Sequence, residues 1–417
     1  MGLTFAEKTL ARKIGAKATV PGQIVEVTPD VALSHDNTAP IWSTFQKMGG
    51  IRVFDPKMHV IVLDHATPAA NTEHAENHRL TRKFVKEQGI EQFYDVGYGV
   101  CHHVLVEEGL ALPGEVVLGA DSHTPHAGVT GAFGTGIGRG EMASVWALGS
   151  LWLRVPESMK ILVQGRLPEG VTSKDLALRV MGDIGSDGAL YMCMEWQGEA
   201  IEALEVDQRA VLTNMSAEMG AKSSHIPVDA KTIAYLKKRA KRPFEAVFSD
   251  PDAAYARTIE YDASQMEPLV SCPHAVDNVK PLSAVAGTHV DQAFLGTCTN
   301  ARLDDLASAA TVLKGRKLAP GTRMVVIPAS SRIYLEALKA GYLETFVAAG
   351  AMVESPGCGP CLGNHMGVPA IGEVVVSTAN RNFKGRMGTR DSEVYLASPQ
   401  VVAASAVAGA ITHPKDL

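Results

Sequence analysis

Apolar runs recur along this sequence, and several stop abruptly at reactive side chains. The run VIVL (60–63) leads into Asp64-His65, VVLG (116–119) into Asp121-Ser122-His123, and AFLG (293–296) into Cys298. Runs this short, flanked by glycine and separated by amphipathic stretches, are buried strands rather than helices. Strand and helix signals that alternate along a chain build an α/β fold with largely parallel sheets. Open sheets of that kind hold ligands beyond the C-terminal ends of their strands. Three reactive groups at three such ends therefore point to one shared site.

The same patterning predicts strands at His59–Leu63, Glu115–Leu118, Lys160–Val163, Gln292–Leu295, Arg323–Ile327 and Glu373–Val376. Helices are predicted at Glu73–Gln88, Glu141–Leu153, Arg209–Met219, Leu303–Leu313, Arg332–Ala340 and Pro399–Ala408. Thr4 and Glu7 have the spacing of a capping box that opens an N-terminal helix. With 417 residues, 46% of them hydrophobic, the chain is too long for one ordinary domain. Soft boundaries near Arg154–Glu157, after a long predicted helix, and in the irregular, Pro-containing stretch Pro268–Ala286 suggest three lobes: 1–155, 156–283 and 284–417.

Net charge of −6 argues against a general nucleic-acid surface, and no apolar run nears the ~20 residues that cross a bilayer. The opening residues lack the apolar block of a signal peptide, which leads to the expectation of a cytoplasmic protein. Six cysteines in a chain this long do not form a disulfide framework. Cys101, Cys193 and Cys272 have the surroundings of small buried hydrophobes. Cys298 in GTCTN and Cys358 and Cys361 in SPGCGPCLG differ, because glycine-rich turns can aim sulfurs and backbone N–H groups together. Three thiolates suit zinc or an iron–sulfur cluster, and a cubane held by three leaves one iron open to act as a Lewis acid.

Around them stand candidate acids and bases: Asp64-His65, Cys101-His102-His103 and Asp121-Ser122-His123. A histidine paired with a carboxylate can protonate a departing hydroxyl. Asn214 and Glu218, four residues apart, share one face of the predicted helix. In STANRNFKGRMG, Arg381 and Arg386 offer forked donors for carboxylates, and Asn380 offers one for a sulfide or ligand oxygen. HAENH (74–78) displaces the glutamate of a zinc-protease helix and reads as an exposed helix face. GTGIG does not complete a dinucleotide-binding fingerprint.

Taken together, HDNTAP, DSHT, GAFGTGIG, TCTN, PGCGPC, NRNFKGR and YLASPQVVAASAVAG resemble the aconitase superfamily, in particular the short-form large subunits of 3-isopropylmalate dehydratase and homoaconitase type. The resemblance implies three α/β lobes around a [4Fe–4S] cluster, held by Cys298, Cys358 and Cys361 with one iron lacking a protein ligand. It assigns Asp64, His65, His102, Asp121, His123 and Glu218 to proton handling and hydroxyl binding. Ser122, Arg381 and Arg386 match carboxylate contacts, His35 and Asp36 the pocket entrance, and Asn214 and Asn380 the cluster surroundings. The swivelling fourth domain, with its catalytic serine, is expected on a separate small subunit. The implied activity is dehydration and rehydration of a small hydroxy dicarboxylate, 3-isopropylmalate first, with homoaconitase or dimethylmalate-type dehydration as alternatives and an iron-sensing binding protein as a rival of another class. Three positions depart from the family pattern: Pro125-His126-Ala127-Gly128 after DSHT, Glu141 in place of Asp, and Ala301 where Gly is common.

Overall fold

The computed structural model describes residues 2–417. Three main sheets follow one another along the chain. The first is wholly parallel, in the order Gln92–Tyr94, His59–Val62, Val31–Ser34, Val116–Gly119, Phe133–Gly136. Its three central strands are buried at every residue, which is why they read as unbroken apolar runs. The second sheet, also parallel, runs Ser223–His225, Cys193–Gln197, Ser158–Gln164, Arg257–Asp262.

The third sheet has seven strands. Glu393–Leu396, Val374–Ser377, Gln292–Leu295, Arg323–Val326 and Met352–Val353 are parallel. Leu269–Ser271 and Val279–Pro281 add an antiparallel edge, so this sheet begins upstream of residue 284, where the third lobe was expected to start. The helices Ser173–Ile184 and Val206–Met215 share a core with Phe294, Val325 and Val375 of the third sheet. That packing ties these helices to the third sheet.

Local signals explain most boundaries. Thr4 and Glu7 form the capping box of helix Phe5–Lys13. Asn71 caps helix Thr72–Gln88, and Gly89 ends it in the left-handed region that glycine enters without strain. Two predicted helices end early. The one expected over Glu141–Leu153 spans Arg139–Leu148 and stops at left-handed Gly149. Leu151–Arg154 then alternates buried and exposed residues as a strand paired with Ile24–Val27. The one expected over Arg209–Met219 is an α-helix only for Val206–Met215; Ser216–Met219, with Glu218, tightens into a 3-10 turn. No helix among the described residues is long and apolar enough to cross a membrane.

Candidate active site

The strand ends of the first and third sheets converge on a cavity of about 340 Å³. His35, His65, His102, Asp121, Ser122, His123, Cys298, Cys358, Cys361, Asn380, Arg381 and Arg386 all line it. Their positions follow from the topology. His35 directly follows strand Val31–Ser34, Asp121 lies two residues past Val116–Gly119, and Asn380 three past Val374–Ser377. Asp36, Asp64, Asn214 and Glu218 do not line the cavity; they hold the groups that do.

Asp64 is fully buried and accepts from the Cys101 N–H at 2.7 Å, with its other oxygen 2.7 Å from His65 Nδ1. That contact occupies Nδ1 and leaves Nε2 to the cavity, 3.5 Å from Asp121. Burial acts to lower the His65 pKa, but the charges of Asp64 and Cys358 and hydrogen bonds to Asp121 and Asp64 hold it well above the usual value. His35 stacks on His65 with ring centroids 3.9 Å apart, and burial together with His65 pulls its pKa down to about 4. Asp36 accepts from the backbone N–H groups of Asp64, His65 and Ala66 and contacts His78 Nε2 at 2.9 Å. It anchors the His65 loop from behind.

A second chain of contacts runs through Asp121. Its Oδ1 lies 2.7 Å from His102 Nε2 and accepts the His123 N–H at 2.8 Å. His123 Nε2 meets Glu218 at 2.6 Å, and Glu218 accepts from Arg381 Nε at 2.8 Å. Arg381 in turn donates to Ser122 Oγ at 2.9 Å. Burial works against the Asp121 charge, yet the three histidines around it keep its pKa well below the carboxylate range. Burial likewise opposes the Glu218 charge, but His123 and Arg381 lower its pKa. The site thus keeps buried carboxylates ionised beside imidazoles, the arrangement that acid–base chemistry requires.

The three cysteines are buried and free of disulfides. Asn380 Nδ2 donates to Cys298 Sγ at 3.2 Å, and Arg386 Nη2 to Cys361 Sγ at 3.5 Å. Asn214 Oδ1 receives Asn380 Nδ2 at 3.1 Å and Thr299 Oγ1 at 3.2 Å, while its amide nitrogen meets His126 Nδ1 at 3.1 Å. Burial pushes the Cys298 thiol up to about 12 and the Cys358 thiol well above its ordinary value, so a bound cation is needed to hold thiolates here. Sulfurs around one tetrahedral ion sit roughly 3.8 Å apart, given metal–sulfur bonds of about 2.3 Å. The compact metal-ligand sets among the described residues are His35–Asp36–Asp64–His65 and His102–Asp121–His123, and the three sulfurs form no such set. Wider spacing and N–H donors aimed at sulfur fit a metal–sulfur cluster better than a single zinc.

Thr297 (φ 80°) and Ala301 (φ 70°) both take the left-handed conformation on either side of Cys298. Each carries strain on the order of 1–3 kcal/mol, and the Ala301 value explains why glycine suits that position. Gly359, between the paired cysteines, has φ 57°, and a Cβ there would lie 2.2 Å from Ile327 Cδ1.

Several contributors were not legible as such. Lys174, fully buried on helix Ser173–Ile184, donates to the carbonyls of Thr378 and Ala379 at 3.0 and 2.7 Å, just before Asn380. Burial lowers its pKa to about 8. Arg302 donates to the Thr299 carbonyl at 2.7 Å and braces the Cys298 turn. HAENH is not simply an exposed face: Glu76 is exposed, but His78 is 3% exposed and bonded to Asp36. Gly138 and Arg139, at the start of helix Arg139–Leu148, add a further wall.

Residues 7–409 match the aconitase family (aconitate hydratase). The chain is 50% identical over 418 residues to the probable 3-isopropylmalate dehydratase large subunit of Methanothermobacter thermautotrophicus, with full coverage of both. It is 51% identical to 3-isopropylmalate dehydratase large subunit 1 of Methanopyrus kandleri, covering 100% of this chain and 99% of that one. The probable methanogen homoaconitase large subunit of Methanosarcina mazei is 50% identical, over 93% of this chain and 99% of its own. Among solved structures, the holo-form of Thermococcus kodakaraensis aconitase X shares the fold, with a TM-score of 0.52 at 14% identity over 96% of this chain and 95% of that one.

Proposed function

The chain belongs to the aconitase family, and on that footing we propose that it is the large subunit of a hydro-lyase that interconverts 3-isopropylmalate and 2-isopropylmalate by removing and re-adding water. The observation that carries this reading is the convergence of three free buried sulfurs and two His–carboxylate networks on one cavity. Homoaconitase-type chemistry is the alternative, favoured by the Methanosarcina relative.

Cys298, Cys358 and Cys361 would hold a [4Fe–4S] cluster. When bound, such a cluster supplies Lewis-acid polarisation of the substrate hydroxyl at the iron that no cysteine holds. This chain's residues do the rest. Asp64 holds His65 by Nδ1 so that Nε2 faces the cavity, and the cation favoured by the neighbouring carboxylates carries on Nε2 the proton that goes to the departing hydroxyl. Asp121, held between His102 and His123, orients that hydroxyl. Ser122 and Arg386 hold one substrate carboxylate, and Glu218 keeps Arg381 aimed at Ser122. Asn214 and Asn380 shape the cluster surroundings through their bonds to Cys298. His35 flanks His65, and Asp36 secures the backbone of that loop. The carbon-bound proton goes to a serine on the swivelling domain of the small subunit. Six unpaired cysteines fit a reducing compartment and support a cytoplasmic enzyme.

The test is anaerobic reconstitution with iron and sulfide, mixing with the small subunit, and following alkene absorbance across a panel of 2-hydroxy dicarboxylates. Turnover should require both cluster and partner, with isopropylmalate fastest. Cys358→Ser should abolish turnover with little change in circular dichroism. A wild-type chain that takes up no cluster would overturn the reading.

A further inference from the structure

Three arginines line the cavity, and two of them already have partners in its wall, although Arg386 keeps its Nε free. Arg381 is held by both oxygens of Glu218 and by Ser122. Arg386 donates to the Cys361 sulfur. Arg139 is the third, and among the described residues it forms neither an ion pair nor a side-chain hydrogen bond. It occupies the first position of helix Arg139–Leu148, whose N-terminal end opens on the cavity through Gly138. A cation at a helix N-terminus opposes the backbone dipole, so helix stability does not account for this residue. The nearby acid does not neutralise it either, because Glu141 turns back to accept the Gly138 N–H at 2.5 Å.

Resting on the hydro-lyase reading, we infer that Arg139 is a specificity-determining residue that holds the second carboxylate of the substrate at the cavity mouth. A hydroxy dicarboxylate brings two negative groups into the site. The Ser122–Arg386 side can take one next to the reacting carbons. The other needs a cation that is free, forked and exposed enough to meet an arriving ligand, and Arg139 has those properties. Its planar fork would favour a carboxylate over an amide or an alkyl group at that end of the molecule.

The experiment uses the cluster-loaded large chain with its small subunit, and compares wild type with Arg139→Ala and Arg139→Lys. Calorimetry reads the binding of isopropylsuccinate, an unreactive dicarboxylate, and of each of its two monoamides; this readout does not depend on turnover. Arg139→Ala should weaken isopropylsuccinate binding about tenfold or more, the scale of one lost charge-assisted hydrogen bond. Arg139→Lys should recover part of the loss. One monoamide, the one that neutralises the mouth-side carboxylate, should bind wild type and Arg139→Ala equally, while the other keeps the difference. In kinetics, KM for the hydroxy dicarboxylate should rise with kcat nearly unchanged. Unchanged affinity, equal losses for both monoamides, or weakened small-subunit binding with unchanged substrate KM would each overturn the assignment. Tight, Arg139-dependent binding without turnover would sink the hydro-lyase reading instead and leave the carboxylate site standing.

Discussion

His225 is an isolated titratable group in an apolar setting, and replacing it should change how stability depends on pH. The residue ends strand Ser223–His225, is 1% exposed, and stacks on Phe5 with centroids 3.5 Å apart. Neither ring nitrogen has a hydrogen-bond partner, and burial alone lowers its pKa from 6.5 to about 3. In the unfolded chain the imidazole takes up a proton below about 6.5, whereas in the folded chain it stays neutral down to about 3. Stability from this residue is therefore present above pH 6.5 and drains as pH falls. At pH 5.0 the loss is 1.5 units at about 1.36 kcal/mol per unit, or about 2 kcal/mol. His225→Leu keeps an apolar side chain against Phe5 and has nothing to protonate. The assay is urea unfolding followed by tryptophan fluorescence at pH 7.0 and 5.0 for both proteins. Between the two pH values the wild-type midpoint should fall further than that of the variant by on the order of 0.7 M, for a slope of roughly 3 kcal/mol/M. At pH 7.0 the variant should be at least as stable, because it no longer buries unpaired ring nitrogens. Equal pH-dependent losses in the two proteins would refute the reasoning.

Other perturbations test separate contacts. Arg209, 1% exposed, pairs with Asp229 at 2.5 Å and donates to the carbonyls of Ile201, Leu204 and Glu202. Arg209→Met should cost about 1–3 kcal/mol, since it leaves the carbonyls of Ile201, Leu204 and Glu202 without their donor, and thermal unfolding should show a drop in midpoint. A Cβ on Gly128 would lie 1.7 Å from the Ser224 backbone oxygen, which cannot rotate away. Gly128→Ala should accordingly destabilise by about 2 kcal/mol or more, and a variant that melts with wild type would show that the two segments separate freely. Glu218→Gln removes the charge between His123 and Arg381 and should lower kcat by about 10²–10⁴, with visible absorbance reporting an unchanged cluster content.

Strands such as HVIV and VVLG were readable because parallel strands buried on both faces are apolar almost throughout, whereas Val31–Ser34, equally buried, was not among those predicted. The site was readable for a related reason: a polar residue directly after such a run must leave the core, and in a parallel sheet it leaves on the ligand side. Helix ends were harder. Apolar residues at 151 and 153 suit a helix as well as a strand, and only pairing with Ile24–Val27 chose the strand. His78 looked like one residue on a polar helix, because nothing local announces that Asp36, 42 positions earlier, will meet it.

By itself, then, the sequence determined the α/β class and some of the strand ends whose following residues line the cavity, and it singled out Cys298, Cys358 and Cys361, which line it as well. These follow from burial periodicity and from residue chemistry, both of which are local. Only the tertiary structure decided which polar groups face the cavity and which stand behind it. Asp64 and His65 are neighbours in the chain, yet one is fully buried as a brace and the other lines the cavity. Lys174 reaches the Asn380 loop from 205 residues away in sequence, at Ala379. Such pairings form because a buried charge or amide must find a partner, and the partner is whatever the packing of sequence-distant elements brings within reach.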